Sequence, residues 1–107
     1  MIKLLKIIPA KQKSKKWTAY FKVDNKEKAV SFGQAGAKDY TLMNDKTSKF
    51  YEPDKKKREK VKEAYRKRHA KDNLTDPLSP GALSYFILWS SPSFGGSIRN
   101  FKKRFSV

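Results

Sequence analysis

Between Trp17 and Phe32 the chain alternates apolar and polar residues on both sides of a turn. Trp17, Ala19, Phe21 and Val23 fall on one face of an extended segment, and Thr18, Tyr20 and Lys22 fall on the other. Asp24-Asn25-Lys26 supplies turn chemistry, because Asp and Asn tolerate left-handed backbone and bond to their own main chain. Lys28 to Phe32 resumes the alternation through Val30 and Phe32. A period of two flanking such a turn predicts a β-hairpin. Ile2 to Ile8, a short apolar run carrying Lys3 and Lys6, predicts a further strand that completes an antiparallel meander.

Beyond Phe32 the period changes. Gly33 and Gly36 break the strand, and Asp39 to Asp45 reads as loop or a single helical turn. Pro53-Asp54 suits a helix start, and Lys55 to about Lys71 predicts a long helix. Its apolar stripe is narrow: Val61, Ala64, Tyr65 and His69. Glu59 with Lys62, and Glu63 with Lys67, are spaced as helical neighbours. Ser79-Pro80-Gly81 reads as a cap followed by proline at the first helical position. Ala82 to Trp89 (ALSYFILW) is the most apolar segment and predicts a buried helix, with a strand as the alternative that periodicity leaves open. Pro92 ends it. Ser93 then caps a last helix in which Phe94, Ile98, Phe101 and Phe105 recur at helical spacing, as a core-facing stripe or, alternatively, a dimer seam. The predicted fold is one small α+β domain over residues 1–107, an N-terminal antiparallel β-meander of two or three strands packed with two or three helices.

Charge narrows the partner. Twenty-six Lys/Arg against ten Asp/Glu give a net +16. Such a surface binds a polyanion by releasing its counterions, and nucleic acid is the commonest polyanion. Aromatic residues make up 13% of the chain, whereas disordered basic tails are poor in them. The expected object is a small core under a basic skin. The charge is also concentrated: Asp54 to Lys71 holds ten Lys/Arg and three acids, a net of +7.

Other classes lose support. There is no cysteine, so disulfides and thiolate metal sites are excluded, and His69 is the only histidine. No metal and no cofactor is expected. No apolar run approaches the ~20 residues of a membrane span. Met1 to Pro9 is too short and too interrupted by lysine for a secretory signal, so secretion is not expected.

The candidate nucleic-acid contacts form three groups. The connection after the first strand supplies Lys11, Lys13, Lys15 and Lys16. The long helix supplies Lys55, Lys56, Lys57, Arg58, Lys62, Arg66, Lys67 and Arg68. The C-terminus supplies Arg99, Lys102, Lys103 and Arg104. Tyr20, beside Lys22 on the face opposite Trp17, is the candidate for stacking on an unpaired base. A nuclease would have to be built from Asp39, Tyr40, Thr41, His69 and Asp72. Capping and turn chemistry account for the same carboxylate and hydroxyl, and a histidine near a helix C-terminus is favoured by the dipole alone. No catalytic residue is therefore assigned, and no enzyme activity is expected. A Gly33–Gly36 phosphate nest competes with a simple strand-ending turn, which needs the same residues.

A wider pattern runs through these segments. It comprises Lys28 to Phe32 with Gly33, the run Phe32-Gly-Gln-Ala-Gly-Ala-Lys-Asp-Tyr-Thr41, Asp45, Tyr65-Arg-Lys-Arg-His69, Gly81, Leu83 to Trp89, Pro92-Ser93, Ser97-Ile98 and Arg104-Phe105. In order and spacing it resembles a small uncharacterised basic domain of the nucleocytoplasmic large DNA viruses, the giant viruses. The resemblance covers nearly the whole chain. Two departures stand out. Met43 or Asn44 occupies the place where the pattern often has a histidine, and the loop after Thr47 is extended. The resemblance implies a viral setting, in the virion or in the infected cell (cytoplasm, viral factory or nucleus), and supplies no reaction. The expected function is sequence-independent binding of nucleic acid, DNA in preference to RNA, with a role in genome compaction or packaging. The alternatives are a structural virion protein touching acidic proteins or a membrane face, an RNA-binding module and, last, a nuclease. Homo-oligomers or virion proteins are further candidate partners.

Overall fold

A computed structural model describes residues 1–107. Three strands, β1 (Ile2–Pro9), β2 (Lys15–Val23) and β3 (Lys26–Gln34), form an antiparallel meander with β2 in the centre. The β2–β3 hairpin keeps one register throughout, with Trp17 opposite Phe32 and Ala19 opposite Val30. Asp24 makes the reversal by adopting the left-handed φ of 57°. Thr18 and Ser31, opposite each other, share a 2.9 Å hydroxyl hydrogen bond.

β1 joins with one irregularity. Leu4 pairs with Phe21, but Lys6 pairs with Tyr20, so Leu5 is the extra residue of a bulge. The bulge has a reason in the sequence. Ile2 and Leu4 are two apart, and the next core-facing residue is Ile7, three further on. Without an extra residue Ile7 would face outward. Leu5 is left 43% exposed.

Four helices follow: α1 (Tyr40–Met43), α2 (Lys55–Arg68), α3 (Pro80–Leu83) and α4 (Phe94–Phe105). α1 and α3 are single turns, so two of the four are substantial. The architecture is small α+β, as the alternation and the later helical spacing predict. α2 ends at Arg68, three residues earlier than expected, with His69 as its C-cap.

α3 runs directly into one π-type turn, Ser84–Leu88. Phe86, Ile87, Leu88 and Trp89 are all buried. Consecutive residues of a helix point in every direction, so four in a row can be buried only if neighbours surround the segment. The burial explains why ALSYFILW lacks a periodic pattern. Its Ala82, Leu83, Phe86, Ile87, Leu88 and Trp89 share one core with Leu4, Ala19, Phe21, Val30 and Phe32 of the sheet. Tyr40 and Met43 of α1 and Phe101 of α4 complete it. α2 contributes no buried residue. No helix is long and apolar enough to cross a membrane.

Candidate nucleic-acid interface

α2 begins with Asp54, whose carboxylate accepts the Lys56 amide at 2.9 Å. Its fourteen residues hold nine Lys/Arg and two Glu, a net of +7. Lys55, Lys56 and Lys57 occupy the first turn, which has no acidic residue. The positive end of a helix dipole disfavours cations there. The last turn, Arg66, Lys67 and Arg68, has the favourable sign.

The expected Glu59–Lys62 and Glu63–Lys67 pairs do not form ion pairs. Lys16 is the only Lys or Arg side chain within 4.0 Å of a carboxylate. Glu59 instead faces the Tyr40 hydroxyl. Burial first, and this carboxylate second, push that hydroxyl's pKa up. Lys62 lies over the Tyr40 ring at 4.5 Å.

Beside Val61 and Lys62, Tyr65 and Arg66 attach the middle of α2 to the rest of the protein. Tyr65 stacks on Trp89 at 4.2 Å and 9°, with His69 stacked on its other side at 4.2 Å. Arg66 donates to the Trp89 carbonyl at 3.2 Å and to Ser90 Oγ at 2.9 Å, and its guanidinium lies over Tyr85 at 4.4 Å. Burial pushes the Tyr65 hydroxyl's pKa up, and the charge of Asp72 adds to the shift.

The sixteen candidate cations therefore separate into two sets. Lys11, Lys13, Lys15, Lys55, Lys56, Lys57, Lys67, Arg68, Arg99, Lys102, Lys103 and Arg104 are exposed, although the Arg104 guanidinium lies over Phe86 at 4.3 Å. Lys16, Arg58, Lys62 and Arg66 are half-buried, and each already has a partner within the protein. Arg58 Nη1 donates to the Glu52 carbonyl at 2.6 Å. Lys16 Nζ meets Asp39 at 2.6 Å, with the carboxylate side chain only 2% exposed. Burying one carboxylate in a chain this basic requires a cation, and the strand-borne lysine is the one in reach. Tyr20 is half-buried on the outer sheet face, with Lys6 Nζ 5.2 Å from its ring centroid. Trp17, on the core face, stacks on Phe94 at 4.6 Å.

The residues of the nuclease reading are only partly brought together. Asp39 Oδ1 accepts the Thr41 hydroxyl at 2.6 Å and the Leu42 amide at 3.0 Å, and Oδ2 takes Lys16. Its carboxylate is occupied in capping α1. His69 Nδ1 lies 2.7 Å from Asp72. No three His, Asp or Glu side chains cluster as a metal site would require. Asp39 and His69 do line one cleft of about 680 Å³, together with Lys38 and Lys60. Sequence reading missed these two lysines as site residues. The signal for Lys60 was its spacing: Lys60, Ala64 and Arg68 recur every four residues beside the stripe Val61, Tyr65 and His69. Lys38 had no such signal, since only the tertiary fold sets that loop against α2.

Gly33, with a φ of 80°, lies inside β3 one residue before its end at Gln34, and a Cβ there would meet Leu88 Cδ1 at 3.0 Å and Lys16 Cβ at 3.2 Å. Gly33 thus serves a close approach in the lining of that cleft, while the turn that follows β3 is closed by the Ala37 amide donating to the Gln34 carbonyl.

A model of a family of unknown function (DUF5754) matches residues 5–52. No curated protein and no solved structure matches the chain. The matched segment holds most of the sheet, α1 and the Lys16–Asp39 pair, whereas α2 and α4, with most of the clustered charge, follow it.

Proposed function

We propose that the protein binds nucleic acid without reading sequence, duplex DNA in preference to RNA, and catalyses no reaction on it. The observation that carries this reading is the lack of internal neutralisation. Of 26 Lys/Arg, only Lys16 has a carboxylate within 4.0 Å. A merely solvated charged helix would lace its charges into pairs, and α2 does not. Three lysines at the positive end of that helix break a local electrostatic rule. Phosphates placed there would relieve the conflict, because both the lysines and the helix end favour anions.

Geometry favours a duplex. α2 is about 21 Å long at ~1.5 Å per residue, enough to reach phosphates on both sides of a ~12 Å major groove. The exposed lysines after β1 and the Arg99–Arg104 cluster supply further contacts. In the viral setting that the sequence resemblance implies, the role would be genome compaction or packaging, in the particle or in the infected cell.

The test is duplex affinity as a function of salt. Neutralising ~6–10 phosphates predicts a loss of ~10³–10⁵ in affinity between about 50 and 200 mM salt. A flat response excludes the mechanism. A single-strand reading rests on Tyr20 with Lys6 over its ring. It predicts preference for single strands and loss of that preference in Tyr20→Ala.

A further inference from the structure

Between α2 and the end of β3 lies a cleft of about 680 Å³, which falls in the size range of pockets that hold small organic ligands. Its lining is strongly cationic. Lys16, Lys38, Lys60 and Arg68 all line it, and Asp39 is the sole acid. Asp39 is already matched by Lys16 at 2.6 Å, so Lys38, Lys60 and Arg68 have no carboxylate within 4.0 Å. These cations come from two segments: Lys38 from the loop after β3, and Lys60 and Arg68 from α2, two turns apart. The remaining wall is apolar where Val61, Ala64 and Leu88 line it, and Gln34 adds an amide with both donor and acceptor. Phosphate-tracking lysines on an open helix need no enclosed space and no apolar wall. A half-open cleft with such a wall suits a ligand with an anionic end and a flat, weakly polar body.

We propose that this cleft binds a nucleoside phosphate, with Lys38, Lys60 and Arg68 on the phosphate and the base against the Val61–Ala64–Leu88 wall. Arg68 suits the phosphate because its fork can take two oxygens at once, and the lysines act as point charges. Gln34 offers paired hydrogen bonds to a base edge. The Tyr65 ring is covered on one face by Trp89 and on the other by His69, so it stiffens the wall and leaves no face for the base. The ligand could be a free nucleotide or the 5′-phosphorylated terminal nucleotide of a strand, since the chemistry presented to the cleft is the same. Arg68 belongs to both surfaces, so Ala64→Trp, which removes no charge, is the variant that separates nucleotide binding in the cleft from phosphate binding along α2.

The experiment titrates AMP and ATP into the full chain, following heat and tryptophan fluorescence, because Trp89 lines the cleft. Saturable binding at one site is expected. Ala64→Trp fills the cleft at an exposed helix position without changing charge, and Lys60→Ala/Arg68→Ala removes two cations from it. Each should weaken nucleotide binding about tenfold or more. Lys102→Ala/Lys103→Ala removes the same charge from α4 and should leave nucleotide affinity within about threefold, as expected for exposed charges remote from the site. Ala64→Trp should also leave the salt dependence of duplex binding unchanged. Competition by short single strands distinguishes the sources. Displacement of AMP by a 5′-phosphorylated strand but not by its 5′-hydroxyl counterpart assigns the terminal nucleotide, and displacement by neither assigns the free one. Unsaturable binding, no binding, or equal losses in the cleft and α4 variants overturns the proposal.

Discussion

α4 and α2 are both capped by a side-chain oxygen at the N-terminus and both carry cations in their last turn, yet they attach to the protein differently. Ser93 Oγ accepts the Gly96 amide at 2.8 Å, and α4 then buries Ser97 and Phe101 completely. Its Phe101 and Phe105 rings lie 4.8 Å apart, and Phe105 meets Phe86 at 5.6 Å. α2 buries no residue fully and depends on Tyr65 against Trp89 and on Arg66 against the Trp89–Ser90 backbone and hydroxyl. α4 is held by apolar area, which charge does not weaken. α2 is held by an aromatic stack and a guanidinium clamp under a net charge of +7. A helix attached in this way is unfavourable alone and improves when a polyanion neutralises it.

The contrast can be broken at its strongest point first. Phe101→Ala should cost about 3–5 kcal/mol, the usual price of truncating a buried Phe, whereas Val61→Ala on half-buried α2 should cost about 1 kcal/mol or less. Denaturant midpoints measure both, and equal losses would refute the difference in attachment. Lys16→Met leaves a buried carboxylate without its cation and should cost about 3 kcal/mol, with duplex affinity nearly unchanged once the protein is folded. A large affinity loss there would return Lys16 to the binding surface. Arg66→Ala removes two hydrogen bonds and should cost about 1–3 kcal/mol. Amide exchange should then accelerate in α2 and not in α4; uniform acceleration would mean that the two helices open together.

The smallest effect is one of pH. The Tyr40 and Tyr65 hydroxyls have raised pKa values in the folded protein, chiefly through burial. A group raised on folding contributes stability that is complete below its unfolded value, about 10, and is lost as pH rises through the folded one. Stability should therefore fall above about pH 10. Tyr65→Phe, which keeps the ring against Trp89, should flatten that fall.

Much of the fold is legible because one physical rule governs each part. Period-two alternation places the hairpin and its register, and the Ile2, Leu4, Ile7 spacing contains the bulge for a reader who counts it. Phe94, Ile98, Phe101 and Phe105 place α4. The π-type turn is not legible, since a segment surrounded on all sides has no polar face to mark its geometry. In the candidate site, the sign and clustering of charge are visible in the chain. Which cations are free is not. Lys16 and Arg66 lie in runs identical in composition to those of their exposed neighbours, and only Asp39 and the Trp89–Ser90 corner, 23 to 24 residues away, decide their roles. The cleft is hidden for the same reason, because Lys38 and Arg68 meet across it only in three dimensions.

The most direct measurement compares salt slopes of duplex binding for two variants of equal charge. Lys55→Gln/Lys56→Gln/Lys57→Gln removes three exposed cations from the start of α2, and Lys22→Gln/Lys26→Gln/Lys28→Gln removes three around the hairpin tip. If the α2 lysines neutralise phosphates, the first variant should lower the magnitude of the slope of log K against log salt by up to ~2.7, about 0.9 per contact, while the second leaves it near the wild-type value. Identical slopes in the two variants would contradict a binding role for α2 and reduce the charge to a bulk property of the surface.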